Sequence, residues 1–230
     1  MTDTQLPITV EVSALLFDMD GTLVDSTAVV ERTWRSFAAR HRLDPERILA
    51  VSHGRRTEET VAEFAPAGVD VRAEALRVIA SEVGDTDGII PVPGAPELLA
   101  ALPSAGWAVV TSAGRALAEA RMAAAGLPMP AVVISADDVR AGKPSPEGYL
   151  AAADRLGAAP EDAIVFEDAE AGVRAARASG ARTVVVGACA APSTEGLDRV
   201  ADLRGVRVEQ AAGRLRVSYP SIRIWGMGND

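Results

Sequence analysis

Apolar and polar residues along the chain fall into two alternating rhythms. Ala14 to Phe17 is a run of four apolar residues, too short for a helix, that ends abruptly in Asp18; it predicts a buried strand followed by a charged loop. From Thr27 the period becomes helical, with Val30, Trp34, Phe37, Ala38 and His41 on one face. Asp44-Pro45 predicts an N-cap and first helical residue for a short helix to about Val51. Thr57 opens another helix, and Asp70 caps a third that runs to about Val83, before Gly84. Val92-Pro93-Gly94 marks a return to strand and helix alternation. It gives a short helix with Leu98, Leu99 and Leu102, a strand from Trp107 to Val110, a helix from Arg115 to Ala125 and a strand from Ala131 to Ser135. A helix start at Ser145-Pro146, a strand from Ala163 to Phe166, a helix with Val173 and Ala176 stopped by Gly180, and a last core strand from Thr183 to Val186 follow. Residues 206–210 and 214–218 alternate at period two around Gly213, as in a hairpin. The pattern predicts an α/β fold: a core of residues 1–24 plus 91–230, with an all-helical cap of residues 25–90 inserted in it. The tail from Ser221, with Ile222, Ile224 and Trp225, is left either packing on the core or contacting another subunit, and the choice between monomer and homodimer stays open.

Composition narrows the class. The chain has 230 residues, 48% of them apolar, and no apolar run approaches a membrane span. Met1 to Val12 shows no basic region and no apolar block of signal-peptide type, so the cytoplasm is expected and no membrane partner is. A net charge of −9 argues against tracking a nucleic-acid backbone. Cys189 is the only cysteine, and with His41 and His53 as the only histidines there is no zinc ligand set. Oxygen ligands remain. Among the 23 basic residues Lys143 is the one lysine, a compact ammonium in a chain that otherwise uses guanidinium.

Candidate chemistry gathers at the strand ends, where parallel sheets place their ligands. Asp18 and Asp20 are one residue apart after the first apolar strand; alone, Asp-x-Asp-Gly fits a solvated turn as well as an acid pair serving one centre. Thr111 and Ser112 close the second, as phosphate contacts or as an ordinary cap. Lys143 stands just before a helix N-terminus, where cation and local field together suit an anion. Glu167 and Asp168 end another strand, and two acidic strand ends in one sheet suggest a hard cation held by oxygen. Mg²⁺ fits, since it binds through one or two carboxylates, waters and a substrate phosphate.

The string Asp18-Met-Asp-Gly-Thr-Leu-Val-Asp-Ser26 resembles the first motif of the haloacid dehalogenase superfamily, in its phosphatase branch. Thr111-Ser112, Gly142-Lys143-Pro-x-Pro146 and Glu167-Asp168-x-x-x-Gly172 resemble the other three motifs, in the same order. The resemblance implies a Rossmann-like parallel sheet, Asp18 as the nucleophile that forms an aspartyl-phosphate, and Asp20 as acid and then base. It implies Thr111 on the phosphate with Ser112 and Gly21 beside it, and Lys143 shielding charge. Mg²⁺ would be held by Asp18, Asp168 and the Asp20 carbonyl, with Glu167 near. Ser52-His-Gly-Arg-Arg-Thr57 resembles the cap loop of the glycerol-phosphate and 2-deoxyglucose-6-phosphate phosphatases, which makes His53 and Arg56 candidate specificity residues. The expected partner is a small sugar or polyol phosphate. A mutase of the beta-phosphoglucomutase type shares the motifs, and a phosphate-binding module without turnover is the reading from another class. A phosphonoacetaldehyde hydrolase is disfavoured, because that family uses a cap lysine and this cap has none.

Overall fold

A computed structural model describes residues 7–220; the tail from Ser221 lies outside them. In chain order the elements are β1 (Ile8–Val12), β2 (Ala14–Phe17), β3 (Val24–Asp25), α1 (Thr27–His41), α2 (Pro45–Ser52), α3 (Thr57–Phe64), α4 (Val71–Gly84), β4 (Ile90–Pro91), α5 (Ala95–Ala101) and β5 (Trp107–Val110). They continue with α6 (Arg115–Ala124), β6 (Val132–Ile134), α7 (Glu147–Arg155), β7 (Ala163–Glu167), α8 (Glu170–Ser179), β8 (Arg182–Val186), β9 (Asp198–Val200), β10 (Arg207–Ala211) and β11 (Arg214–Tyr219).

Six strands form a parallel sheet in the order β6-β5-β2-β7-β8-β9. β2 sits inside it and is buried on both faces, which is why its sequence is continuously apolar rather than alternating. Its residues still divide by pleat: Leu15 and Phe17 join one core cluster, Ala14 and Leu16 the other. Phe17 stacks on Phe166 of β7 with ring centroids 5.1 Å apart. The sheet has one strand more than the sequence predicts. β9 was hidden because its residues are Asp198, Arg199 and Val200, and its charges are buried by partners rather than exposed: Arg182 Nη2 and Tyr219 OH donate to Asp198, and Arg199 Nη1 donates to the Gly187 carbonyl.

The expected C-terminal hairpin is present, and β1 completes it as a three-stranded antiparallel sheet, pairing Ile8 with Tyr219. The hairpin loop places Ala212 and Gly213 at φ of 50° and 80°, the primed turn whose twist matches the flanking strands. Between β2 and β5 the chain leaves the sheet for the helices α1 to α4, which enclose their own apolar cluster of Trp34, Phe37, Ile48, Val61 and Val78. The outgoing and returning connections pair with each other as the short ribbon β3-β4, Val24 opposite Pro91. Asp44 and Asp70 cap α2 and α4 through side-chain bonds to backbone N–H groups, as their sequence positions predict. Among the described residues no helix is long and apolar enough to cross a membrane.

Candidate active site

The carboxyl ends of β5, β2 and β7 lie side by side, and the loops that leave them converge on one cleft. Asp18 is held there by backbone pairing, its N–H donating to the Phe166 carbonyl at 3.0 Å. The chain then turns back tightly, with the Met19 carbonyl accepting from Leu23 and Val24 at 2.8 and 2.9 Å. Gly21 makes this turn possible: its φ is +87°, and a Cβ there would sit 2.0 Å from Asp168 Oδ2. Thr22 Oγ1 donates to Asp168 Oδ1 at 3.1 Å, so the first loop also orients the acid from β7.

Lys143 reaches the same point from the loop after β6. Its Nζ donates to Asp18 Oδ1 and, at 2.6 Å, to Glu167 Oε1. Glu167 is fully buried and also accepts from Tyr149 OH at 3.1 Å and from the Ala169 N–H at 2.8 Å. It therefore anchors the lysine. Burial pushes the Asp18 carboxyl up to about 7, with the Glu167 and Asp20 charges adding to the effect and Lys143 opposing it. Burial and the Glu167 and Asp18 charges raise Asp168 well above the usual carboxylate range, with Lys143 opposing them. Burial disfavours the Lys143 ammonium, but Asp18 and Glu167 outweigh that and hold it charged.

Asp18, Glu167 and Asp168 bring ligand oxygens within 4.8 Å of one another. Two buried carboxyl groups and a partly buried third share one ammonium, and every donor is a hard oxygen. The set fits a small hard cation such as Mg²⁺ and fits no soft metal.

Thr111 is buried at the end of β5, where its Oγ1 accepts from the Ala113 N–H at 3.1 Å and keeps its own hydrogen free to donate. Ser112 instead donates its hydroxyl to the Gly54 carbonyl of the α2-α3 loop at 2.8 Å, so it fastens that loop down while lining the cleft. The cleft has a volume of about 160 Å³, and Trp34, His53, Arg55 and Glu82 wall it opposite Asp18 and Asp20. A larger groove of about 570 Å³, beside Glu97, Arg204 and Arg207, contains none of the residues singled out by the motifs.

Arg56 departs from expectation. Rather than facing the cleft, its guanidinium turns to the far side of the loop and donates to the carbonyls of Ala136, Val139 and Arg140 at 3.2, 2.8 and 3.3 Å. It lies against Gly142, where a Cβ would come within 2.7 Å of its Nε. Of the two loop arginines the one at the cleft wall is Arg55, which pairs with Glu63 at 2.7 Å. Backbone carbonyls, invisible in a sequence, decided between the two. Also unforeseen were Tyr149 and the contacts of Asp20, whose Oδ1 accepts from Ser26 Oγ at 2.6 Å and whose Oδ2 accepts from Arg121 Nη1 at 2.8 Å.

The family model for haloacid dehalogenase-like hydrolases matches residues 12–180. Hexitol phosphatase A of Escherichia coli (strain K12) is 45% identical over 177 residues, covering 75% of this chain and 82% of that protein. Glycerol-1-phosphate phosphohydrolase 2 of Saccharomyces cerevisiae is 37% identical over 194 residues, covering 79% and 77%. The crystal structure of CbbY from Rhodobacter sphaeroides in complex with phosphate superposes with a TM-score of 0.71 at 28% identity, over 84% of this chain and 95% of that one.

Proposed function

The chain belongs to the haloacid dehalogenase-like hydrolases, and we propose that it is a Mg²⁺-dependent phosphatase that hydrolyses a small sugar or polyol phosphate through an aspartyl-phosphate on Asp18. The observation that carries the reading is the buried Lys143 ammonium between Asp18 and Glu167, beside Asp168, at the ends of adjacent strands. A nucleophilic carboxylate must meet an anionic phosphate, and most of the work is neutralisation and placement. In this reading residues 25–90 are the cap that reads the leaving group, residues 1–24 plus 91–230 hold the chemistry, and the enzyme works in the cytoplasm.

Asp18, Asp168 and the Asp20 carbonyl, with Glu167 close by, would hold a Mg²⁺ ion, which would supply positive charge to the phosphoryl oxygens. The rest falls to side chains. Lys143 screens Asp18 from the phosphate, while the Thr111 hydroxyl and Ser112 orient its oxygens; the Gly21 N–H donates to the Val24 carbonyl at 2.7 Å, so Gly21 shapes the loop rather than holding the phosphate as its motif position suggested. An Asp18 carboxylate oxygen forms a bond to phosphorus as the bond to the substrate oxygen breaks, and Asp20 gives that oxygen its proton. Asp20 then takes a proton from water, whose oxygen bonds to phosphorus as the bond to Asp18 breaks, releasing inorganic phosphate and restoring both aspartates. A cleft walled by hydroxyl, amide and paired charged groups suits polyol hydroxyls, with His53 the exposed polar side chain of the cap loop. Interception of the aspartyl-phosphate by sugar rather than water would make a mutase; the names of the relatives above favour water.

The test is phosphate release by the purified protein with Mg²⁺ across glycerol, hexose, deoxyhexose and hexitol phosphates, with Asp18→Asn as control. Release that chelation and Asp18→Asn both abolish is expected. A panel with no turnover, or turnover that survives Asp18→Asn, sinks the reading.

A further inference from the structure

Asp20 is tied to the cap through a buried chain of charges. Arg121 Nη1 donates to Asp20 Oδ2 at 2.8 Å, and its Nη2 donates to Glu82 Oε1 at 2.7 Å. Arg121 belongs to α6 of the core and Glu82 to α4 of the cap, each with 4% of its surface exposed. Both line the cleft. The buried neighbours of Arg121 on its own helix are apolar, Leu117, Ala118 and Met122; on α4, Glu82 follows Val78 and Ala75, with Glu74, paired to Arg40, at the other end of the same buried face. Packing alone would be served as well by two more apolar residues, because desolvating an ion pair costs as much as its attraction returns. A charged group kept at such a cost, and in contact with the acid of the active site, points to a role in placing that acid.

We propose that Arg121 is a positioning residue for Asp20 and that Glu82 makes this placement depend on the cap being seated; the proposal rests on the phosphatase reading above. A guanidinium holds its terminal nitrogens in one rigid plane, so the direction set by Glu82 at Nη2 fixes the direction that Nη1 offers to Asp20. Ser26 holds the other carboxylate oxygen. Together they leave Asp20 one orientation toward the cleft, and proton transfer requires that orientation to be within hydrogen-bond reach of the leaving oxygen. With the cap unseated, Glu82 moves off, the guanidinium loses its second anchor, and Asp20 is no longer aimed. Protonation of the leaving group and enclosure of the substrate thereby become one event.

The experiment compares two leaving groups. An alkyl phosphate, taken as the one the parent turns over fastest, needs its alkoxide protonated, whereas p-nitrophenyl phosphate departs without help. Arg121→Lys keeps the charge and loses the planar fork; Glu82→Met keeps the bulk and loses the anchor. For each variant the expected result is a fall in kcat/KM, which reports expulsion of the leaving group whichever later step limits kcat, about tenfold greater on the alkyl phosphate than on p-nitrophenyl phosphate, with a cooperative melt. Equal falls in kcat/KM on both substrates, or parental values on both, overturn the proposal. If one variant does not fold, the other carries the same comparison. A parent that releases phosphate from no alkyl substrate overturns the phosphatase reading itself, which separates the two failures.

Discussion

Replacing Gly172 with alanine sets helix propensity against a buried carboxylate. Gly172 lies in the first turn of α8, and a Cβ there would fall 1.5 Å from Glu167 Oε1 and 2.0 Å from its Cδ. Alanine is worth about 1 kcal/mol more than glycine inside a helix, so on α8 alone the change would stabilise. Glu167 cannot step aside cheaply, because Lys143, Tyr149 and the Ala169 N–H all donate to it. Displacing it from two of these donors forfeits about 1.5–3 kcal/mol for each hydrogen bond to a charged group. The net loss is about 2–5 kcal/mol, read as a lower urea midpoint with an unchanged m value. Phosphate release should fall by about tenfold or more, since Lys143 loses the group that aims it at Asp18. A Gly172→Ala protein with parental midpoint and parental turnover would refute this account of Glu167.

Gly21→Ala meets both a left-handed φ, costing about 1–2 kcal/mol, and Asp168 at 2.0 Å; turnover should drop much more than the melting temperature, and a parental rate would contradict the crowding. Arg56→Met leaves the Ala136, Val139 and Arg140 carbonyls without their donor and should cost about 1–3 kcal/mol in thermal unfolding; an unchanged melt would show that the contact contributes nothing. Burial alone would raise the Asp138 carboxyl, but bonds from the Ser135 N–H and hydroxyl and the Arg155 and Arg115 guanidiniums hold it at about 2. Its stabilisation, about 1 kcal/mol after solvent screening, is therefore full above the ordinary aspartate pKa and lost as the pH falls through about 2. Asp138→Asn should accordingly weaken the protein at neutral pH and match the parent in strong acid, and unfolding curves that stay apart there would be decisive against it. Mg²⁺ should raise the melting temperature of the parent and not of Asp168→Asn; equal shifts would remove Asp168 from the ligand set.

Strands and helices were legible wherever one period ran unbroken, as in Ala14 to Phe17 and in the α1 stripe of Val30, Trp34 and Phe37. The candidate residues that gather at the strand ends were legible because acids and small residues follow such runs directly. Partners were harder to read. β1 pairs with β11 across most of the chain, and no local pattern reports a contact of that separation. Arg121 had a signal that went unread: it stands among Leu117, Ala118 and Met122 on an otherwise apolar helix face, where a charge needs a partner. Which partner that is, and that Arg56 would find backbone carbonyls instead of the cleft, are questions of three-dimensional placement.

Lys143 has a consequence for watching this molecule at work. As the only lysine in the chain, it is also the only side-chain amine, and it is 7% exposed beside Asp18. An amine-directed reagent added to the native protein therefore has one side-chain target, and that target reacts only when its contacts to Asp18 and Glu167, which hold it charged, come apart. Slowing of the labelling by inorganic phosphate or a substrate analogue would report, in an unmodified chain and without an introduced probe, that a bound anion keeps the ammonium engaged.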